Sequence, residues 1–187
     1  MKDLSLHILD IAQNSVRAEA DHITISITAE GRPCILKIVI TDNGKGMEPD
    51  FLEKVTDPFT TSRETRKVGL GIPLLKQSAE MAGGVFSIKS VVNEGTEVSA
   101  TFPVDHVDRI PVGNVAETLM MLVASHPEID WEFIFASEQD RFEFSLTEVK
   151  EALGDVSVTN RYVQEWIQNT LNEGFMSVFG GVLDEVN

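Results

Sequence analysis

The stretch ILKIVITDNGKGMEP, residues 35–49, decides the fold. Its first seven residues have the period-two character of a strand, and a polar, glycine-rich loop follows them. An Asp-Asn-Gly sequence is common in hairpin turns, but here Pro49 begins a helix, so no strand follows directly. Gly44 and Gly46 let the backbone pass close to a flat ligand, since neither carries a Cβ. Asp42 can accept a hydrogen bond from an exocyclic amine. A plain turn is the alternative.

Upstream of this stretch, the sequence predicts an amphipathic helix and a strand. Apolar residues recur at helical spacing from Leu4 to Ala18, and residues 22–28 alternate as a strand that pairs with the next one. Asp10, Asn14 and Arg17 lie at i, i+4 and i+7, and therefore share one polar face. A carboxylate, an amide and a guanidinium together can hold a water, supply oxygen to Mg²⁺ and pair with phosphate. A solvated helix face is the alternative.

Downstream, the sequence predicts a loop, a second helix and two more strands. Residues 60–67 place three cations and several hydroxyls in an otherwise acidic chain. Gly69 and Gly71 then open an apolar-periodic segment whose first amides favour an anion. Residues 85–92 and 97–102 have strand character. A phosphate tail fits beside the loop and the helix start, and a solvated basic loop is the alternative.

A change in charge divides the chain near residue 106. Residues 1–106 carry 11 Lys+Arg against 15 Asp+Glu, whereas residues 107–187 carry 4 against 15. We expect one domain over residues 1–106, which carries the candidate ligand-binding residues, and a small acidic α+β domain over residues 107–187. The second segment predicts a helix capped by Asn114, an aromatic hairpin over 131–144, and a short helix with a capping box of Ser145 and Glu148. A last helix is predicted from the apolar stripe of Val163, Trp166, Ile167 and Leu171, and it ends at Gly174. We find no internal repeat.

Composition and charge exclude several classes of function. No apolar run approaches the roughly 20 residues that span a bilayer, and the first residues lack the apolar core of a secretory signal. We therefore expect a cytoplasmic protein that does not bind membranes. The acidic second segment disfavours nucleic acid. The single cysteine, Cys34, excludes an internal disulfide and is expected to be a small buried hydrophobe.

Four motifs resemble, in order and spacing, the boxes of the GHKL superfamily, which includes gyrase, chaperone ATPases, histidine kinases and mismatch-repair ATPases. They are Asp10-x-x-x-Asn14, Asp42-x-Gly44-x-Gly46, Gly69-x-Gly71 and Gly95-Thr96. The run from Val68 to Lys76 is especially similar to the histidine-kinase catalytic domain. The resemblance covers about residues 4–103. It implies a two-layer α/β sandwich of the Bergerat type, an α+β fold, with a small α+β unit after it.

The same resemblance implies ATP and Mg²⁺ as cofactors and assigns roles to single residues. Asn14 would coordinate Mg²⁺, Arg17 would contact phosphate, and Asp42 would bind the adenine amine. The remaining cofactor-binding residues would be Gly44, Gly46 and Met47 at the adenine floor; Phe59, Thr60, Thr61, Ser62, Arg63 and Lys67 in the lid; Gly69, Leu70 and Gly71 at the phosphate tail; and Thr96, which supports Asp42 or a water near the base.

Asp10 departs from the family pattern. It stands where many members carry a glutamate that activates the attacking water, and it is the one candidate catalytic residue. Its shorter side chain must reach about one C–C bond further, so we expect slow hydrolysis or a role mainly in holding magnesium and water.

Three functions remain open at this stage. The first is an ATPase or a protein kinase, whose phosphoacceptor would be another protein because few residues precede His7. The second is a nucleotide-gated interaction module with little turnover. The third is a degenerate fold that binds no nucleotide. Aromatic and methionine residues after residue 106 suggest a protein partner or a homodimer through that segment.

Overall fold

The computed structural model describes residues 2–32, 34–56, 70–180 and 183. The described helices and strands follow the order expected from the sequence. In chain order they are α1 (Leu4–Arg17), β1 (His22–Glu30), β2 (Ile35–Asp42), α2 (Pro49–Leu52), α3 (Gly71–Met81), β3 (Phe86–Val91), β4 (Gly95–Pro103), α4 (Val115–Ser125), β5 (Asp130–Ser137), β6 (Arg141–Ser145), α5 (Leu146–Leu153) and α6 (Arg161–Phe179).

One mixed sheet contains all the described strands, in the order β3-β4-β2-β1-β5-β6. The hairpin of β1 and β2 is antiparallel, with Ile25 opposite Ile40, as the alternation predicts. After β3 and β4 extend the sheet on the side of β2, the chain crosses through α4 and returns with β5. This strand pairs parallel to β1 and places Phe133 beside Ile25. The first strand of the sequence is thus near the middle of the sheet.

Helices cover one face of this sheet. Along β1 the buried positions are Ile23, Ile25, Ile27 and Ala29, which alternate with partly exposed polar side chains. The inner faces of α1, α3, α4 and α6 join these residues in one apolar core. The predicted two-layer sandwich is therefore confirmed. Among the described residues, no helix is both long and apolar enough to cross a membrane.

The segment after residue 106 belongs to the same sheet and the same core. Trp131, Phe133 and Phe135 of β5 are fully buried and lie in the apolar cluster formed by the first segment. The charge boundary near residue 106 thus falls inside a continuous sheet. The division into a domain of residues 1–106 and a domain of residues 107–187 stays a prediction.

Residues 104–114 connect β4 to α4 and also hold the start of α1. The amides of Leu4 and Ser5 donate to the carbonyls of Pro111 and Val112, both at 2.9 Å. These amides belong to the first turn of α1, where backbone N–H groups have no acceptor within the helix. The Arg109 side chain is buried and its Nε donates to the carbonyl of Val104 at 2.8 Å, and burial lowers the pKa of its guanidinium. This connection therefore fixes α1 rather than acting as a free linker.

The structure corrects the sequence prediction for α6 in two respects. The helix does not end at Gly174 but continues to Phe179. Gly174 instead faces the ring of Phe142, which a Cβ at that position would approach to 2.5 Å. Trp166, expected in the buried stripe with Ile167, is 51% exposed.

Candidate functional site

The polar face of α1 lies against the start of α3. A Cβ built on Gly71 would stand 2.9 Å from the Cβ of Asp10 and 3.3 Å from its Oδ2. The residue that caps α3, Leu70, offers no side-chain acceptor to the first turn and is itself 54% exposed. The first-turn amides of α3 thus lie beside the carboxylate of Asp10. The N-terminus of a helix favours an anion.

One turn further along α1, Asn14 carries an unsatisfied polar atom. Its Oδ1 accepts a hydrogen bond from Nη1 of Arg17 at 2.9 Å. Its Nδ2 is buried and has no hydrogen-bond partner among the described residues. Leaving a buried donor unpaired costs about 1–3 kcal/mol. Such a group is therefore a candidate contact for a ligand.

Asp42 ends β2 as a buried carboxylate, with only 7% of its surface exposed. Ser15 donates its hydroxyl to Oδ2 at 2.5 Å, and the amide of Gly44 donates to Oδ1 at 3.0 Å. The two bonds fix the orientation of the carboxyl group. Thr96 lies opposite Asp42 in the register of β4, and its hydroxyl is 2.8 Å from that of Ser90.

Ser15 is a site residue that sequence reasoning missed. It lies in the buried stripe of α1, between apolar positions such as Ile11 and Ala12, and is 3% exposed. A hydroxyl in an otherwise apolar stripe needs a partner, because an unpaired buried polar group is costly. A serine in the apolar stripe of α1 therefore indicates a buried hydrogen-bond partner, which in the structure is the carboxylate of Asp42.

The loop after β2, residues 42–46, passes close to α1, and we call it the β2 loop. A Cβ on Gly44 would stand 2.7 Å from the carbonyl oxygen of Ala18, so a larger residue would push the two apart. Gly46 has a φ of +63°, a conformation that favours glycine. Met47, the next residue, is partly buried against the core. Gly44 thus lets the loop approach the end of α1, and Gly46 lets it approach the carbonyl of Val91 at the end of β3.

Two cations stand at the edge of this region. Nζ of Lys45 donates to the carbonyl of Arg17 at 3.4 Å, which brings both side chains to the end of α1. Lys45 also lies 3.8 Å from a carboxylate oxygen of the exposed Glu19. Seven of the predicted cofactor-binding residues lie outside the described residues: Phe59, Thr60, Thr61, Ser62, Arg63, Lys67 and Gly69.

The residues present fit a magnesium ion that is shared with a phosphate ligand. Within the described ranges, no cluster of three or more His, Cys, Asp or Glu side chains could hold a metal alone. Asp10 and Asn14 supply one carboxylate and one amide on a single helix face. Mg²⁺ is commonly bound by one or two protein oxygens together with substrate phosphates, so this donor set suits it only with a nucleotide.

Comparison with known proteins decides the family. Residues 2–106 match the model of the "Histidine kinase-, DNA gyrase B-, and HSP90-like ATPase" family, HATPase_c, which is more than half of the chain. The chain belongs to the HATPase_c family. The expected resemblance to the GHKL superfamily is thereby confirmed, and the HATPase_c match spans α1 to β4.

The chain is also similar to curated bacterial kinases. It is 39% identical over 99 residues to sporulation kinase D of Bacillus subtilis, covering 52% of this chain and 19% of that protein. It is 30% identical over 106 residues to the sensor histidine kinase ZraS of Escherichia coli O157:H7, covering 57% and 23%. The chain thus spans about a fifth of the length of these relatives.

A solved structure shares the fold beyond the HATPase_c segment. The crystal structure of the N-terminal domain of a DNA repair protein superposes with a TM-score of 0.54 at 16% identity. The superposition covers 78% of this chain and 53% of that one. It therefore includes residues after 106, in agreement with the sheet that runs through both segments.

Proposed function

We propose that this HATPase_c chain binds Mg·ATP and is an ATPase or a protein kinase that acts on a separate protein. The observation that carries the proposal is the meeting of three groups along α1: Asp10 beside the start of α3, the unpaired amide of Asn14, and the buried carboxylate of Asp42 held by Ser15. They are ordered as the phosphate, metal and base of a nucleotide would require.

Each of these residues has a chemical role in the proposal. The carboxylate of Asp42 accepts a hydrogen bond from the exocyclic amine of adenine, since both of its bonds to protein leave acceptor capacity. Asp10 and Oδ1 of Asn14, which now accepts from Arg17, would supply oxygens to Mg²⁺, and the unpaired Nδ2 of Asn14 would donate to a phosphate oxygen. Mg²⁺ would neutralise charge on the phosphates. Arg17 pairs with a phosphate oxygen, and Asp10 orients a water.

The base supplies the first test of this proposal. Guanine has a carbonyl where adenine has its amine, so GTP would bring two acceptors together at Asp42. We expect Mg·ATP to bind about five-fold to over a hundred-fold more tightly than Mg·GTP, because a buried unpaired acceptor costs on the order of 1–3 kcal/mol. Calorimetric titration measures both affinities, and phosphate release over time measures turnover. Absence of ATP binding, or equal binding of both nucleotides, contradicts the proposal.

A second candidate function is a nucleotide-gated interaction module, and the outer face of α6 favours it. Tyr162, Trp166 and Met176 are 79%, 51% and 50% exposed. At 100° per residue they fall within about 80° of one another around the helix, opposite the buried stripe that includes Ile167. Large exposed side chains grouped on one face are typical of protein interfaces.

The charge of this region indicates the kind of partner. Glu165 and Glu173 are exposed on the same helix, and residues 107–187 carry 4 Lys+Arg against 15 Asp+Glu. A second copy would bring two acidic surfaces together. We therefore infer that the α6 face binds a basic amphipathic helix of another protein.

Trp166 provides a direct readout, because the other tryptophan, Trp131, is fully buried. We expect a synthetic amphipathic Lys/Leu helix to shift the emission of Trp166 to the blue, more strongly with Mg·ATP than without it. Tyr162→Ala should weaken the association several-fold, whereas Val107→Ala, at a residue 88% exposed elsewhere, should not. Equal association with and without nucleotide contradicts gating. If sedimentation instead shows a dimer that Tyr162→Ala abolishes, the α6 face binds a second copy of this chain.

A further inference from the structure

A chain of hydrogen bonds leads from the β2 loop to the start of β1. Asn43 follows Asp42, and its Oδ1 accepts hydrogen bonds from the backbone amides of Asp21 and His22, both at 3.1 Å. Its Nδ2 donates to the carboxylate of Asp21 at 2.6 Å, and its amide donates to the carbonyl of His22 at 3.3 Å. The loop that carries Asp42 is therefore attached to residues 21 and 22.

The same two residues are attached to the segment after residue 106. Nδ1 of His22 lies 3.0 Å from Oδ2 of Asp130, its partner in the parallel register of β1 and β5. The amide of Asp130 donates to the carbonyl of Asp21 at 2.8 Å. The other ring nitrogen of His22 lies 3.2 Å from the hydroxyl of Thr24 and 3.6 Å from a carboxylate oxygen of Glu132.

Asp130 is held in turn by α5. Thr147, in the first turn of that helix, donates its hydroxyl to Oδ1 of Asp130 at 2.5 Å. Partial burial raises the pKa of Asp130, but the hydrogen bonds from Thr147 and His22 outweigh it and bring the pKa below its ordinary value. The carboxylate is thus ionised at neutral pH, and it links β5, β1 and α5.

We propose that Asp130 and Thr147 are positioning residues for the nucleotide, acting on Asp42 through His22 and Asn43. They touch no part of the site directly. Through them, a partner that shifts α5 changes the affinity for ATP, which makes residues 107–187 a regulatory element of the HATPase_c site. The inference rests on the proposed function, because it needs Asp42 to contact the base.

The chain offers a matched control for the test. At the other end of the β5–β6 hairpin, Ser177 donates its hydroxyl to Asp140 at 2.6 Å and the amide of Arg141 donates to it at 2.8 Å. These two bonds lower the pKa of Asp140. Asp130→Asn and Thr147→Val therefore have counterparts in Asp140→Asn and Ser177→Ala. Each pair removes the same chemistry, at the site end or at the far end of the sheet.

We expect Asp130→Asn and Thr147→Val to weaken Mg·ATP binding about five- to tenfold in calorimetric titration, at the low end of the coupling typical between linked sites. The far-end pair should stay within about twofold of wild type, and Thr147→Ser, which keeps the hydroxyl, should restore affinity. Equal weakening by all four substitutions, or by none, overturns the inference.

A second readout separates this inference from the function itself. The amides of Gly44 and Lys45 donate to Asp42 and to the carbonyl of Ala18, so their hydrogen exchange reports the order of the β2 loop without nucleotide. Asp130→Asn should accelerate this exchange and Asp140→Asn should not. If wild type fails to bind ATP while the exchange responds as expected, the proposed function falls and the positioning of the loop stands. If wild type binds ATP and neither readout changes, the positioning falls.

Discussion

Asp42→Asn is expected to weaken Mg·ATP binding roughly ten- to a hundred-fold, because a charged hydrogen bond to the base is worth about 1.5–3 kcal/mol. The fold should survive. An amide at position 42 can still accept from the Gly44 amide, and the Ser15 hydroxyl can reverse its role and accept from the new NH₂ group. Calorimetric titration of the two chains measures the difference.

Comparing ATP with GTP tests whether Asp42 contacts the base. Asp42→Asn should reduce the preference for ATP over GTP, since an amide can also donate to a carbonyl. Asp50→Asn, on the short helix α2, removes a charge from a nearby exposed residue and serves as the control. An unchanged ATP affinity in Asp42→Asn would show that this carboxylate does not contact the base.

Acid is expected to destabilise the protein through His7. This side chain is fully buried, its Nε2 lies 3.1 Å from the hydroxyl of Ser78, and its Nδ1 has no partner among the described residues. Burial, with a smaller contribution from the positive N-terminus, lowers the pKa of His7 from 6.5 to about 4, while Asp3 opposes the shift. The folded protein therefore binds a proton less readily than the unfolded chain.

The sign of the effect follows from proton binding. Between pH 6.5 and about 4 the unfolded state takes up more protons, so the free energy of unfolding falls as the pH falls through this range. The loss of unfolding free energy that His7 causes can reach about 3 kcal/mol at a pH of about 4, since a pKa shift of one unit corresponds to about 1.36 kcal/mol. Above pH 6.5 it vanishes.

Chemical denaturation at several pH values isolates this effect. His7→Leu should flatten the fall in unfolding free energy relative to wild type. Val107→Ala, at a residue 88% exposed, should leave the pH dependence of wild type intact. The same slope in wild type and His7→Leu would assign the acid sensitivity to carboxylates instead.

Local signals predicted most of the elements. The cap of α4 at Asn114 and that of α5 at Ser145 are confirmed by bonds from the amides of Glu117 and Glu148. The alternation of β1 and β2 was sufficient to predict their hairpin, because neighbouring strands joined by a short turn pair locally. Fold class and family follow from such signals.

Long-range pairing was not predictable in this way. Nothing near His22 indicates that Asp130 becomes its partner, because about a hundred residues separate them and any exposed strand edge could accept β5. For the same reason the sequence predicts a helix end at Gly174, whereas this residue contacts the ring of Phe142 on another element. Ser15 and its bond to Asp42 depend on tertiary packing too.

The parallel pairing of β1 with β5 has a consequence for synthesis on the ribosome. At about 5–20 residues per second, β1 and β2 emerge several seconds before Asp130 is translated. During that interval one edge of β1 has no neighbour, and unpaired strand edges invite aggregation. Slow codons between α4 and β5 would therefore lower the yield of soluble protein. A chain released before β5 would keep an unpaired edge on β1 and would be prone to aggregation and proteolysis.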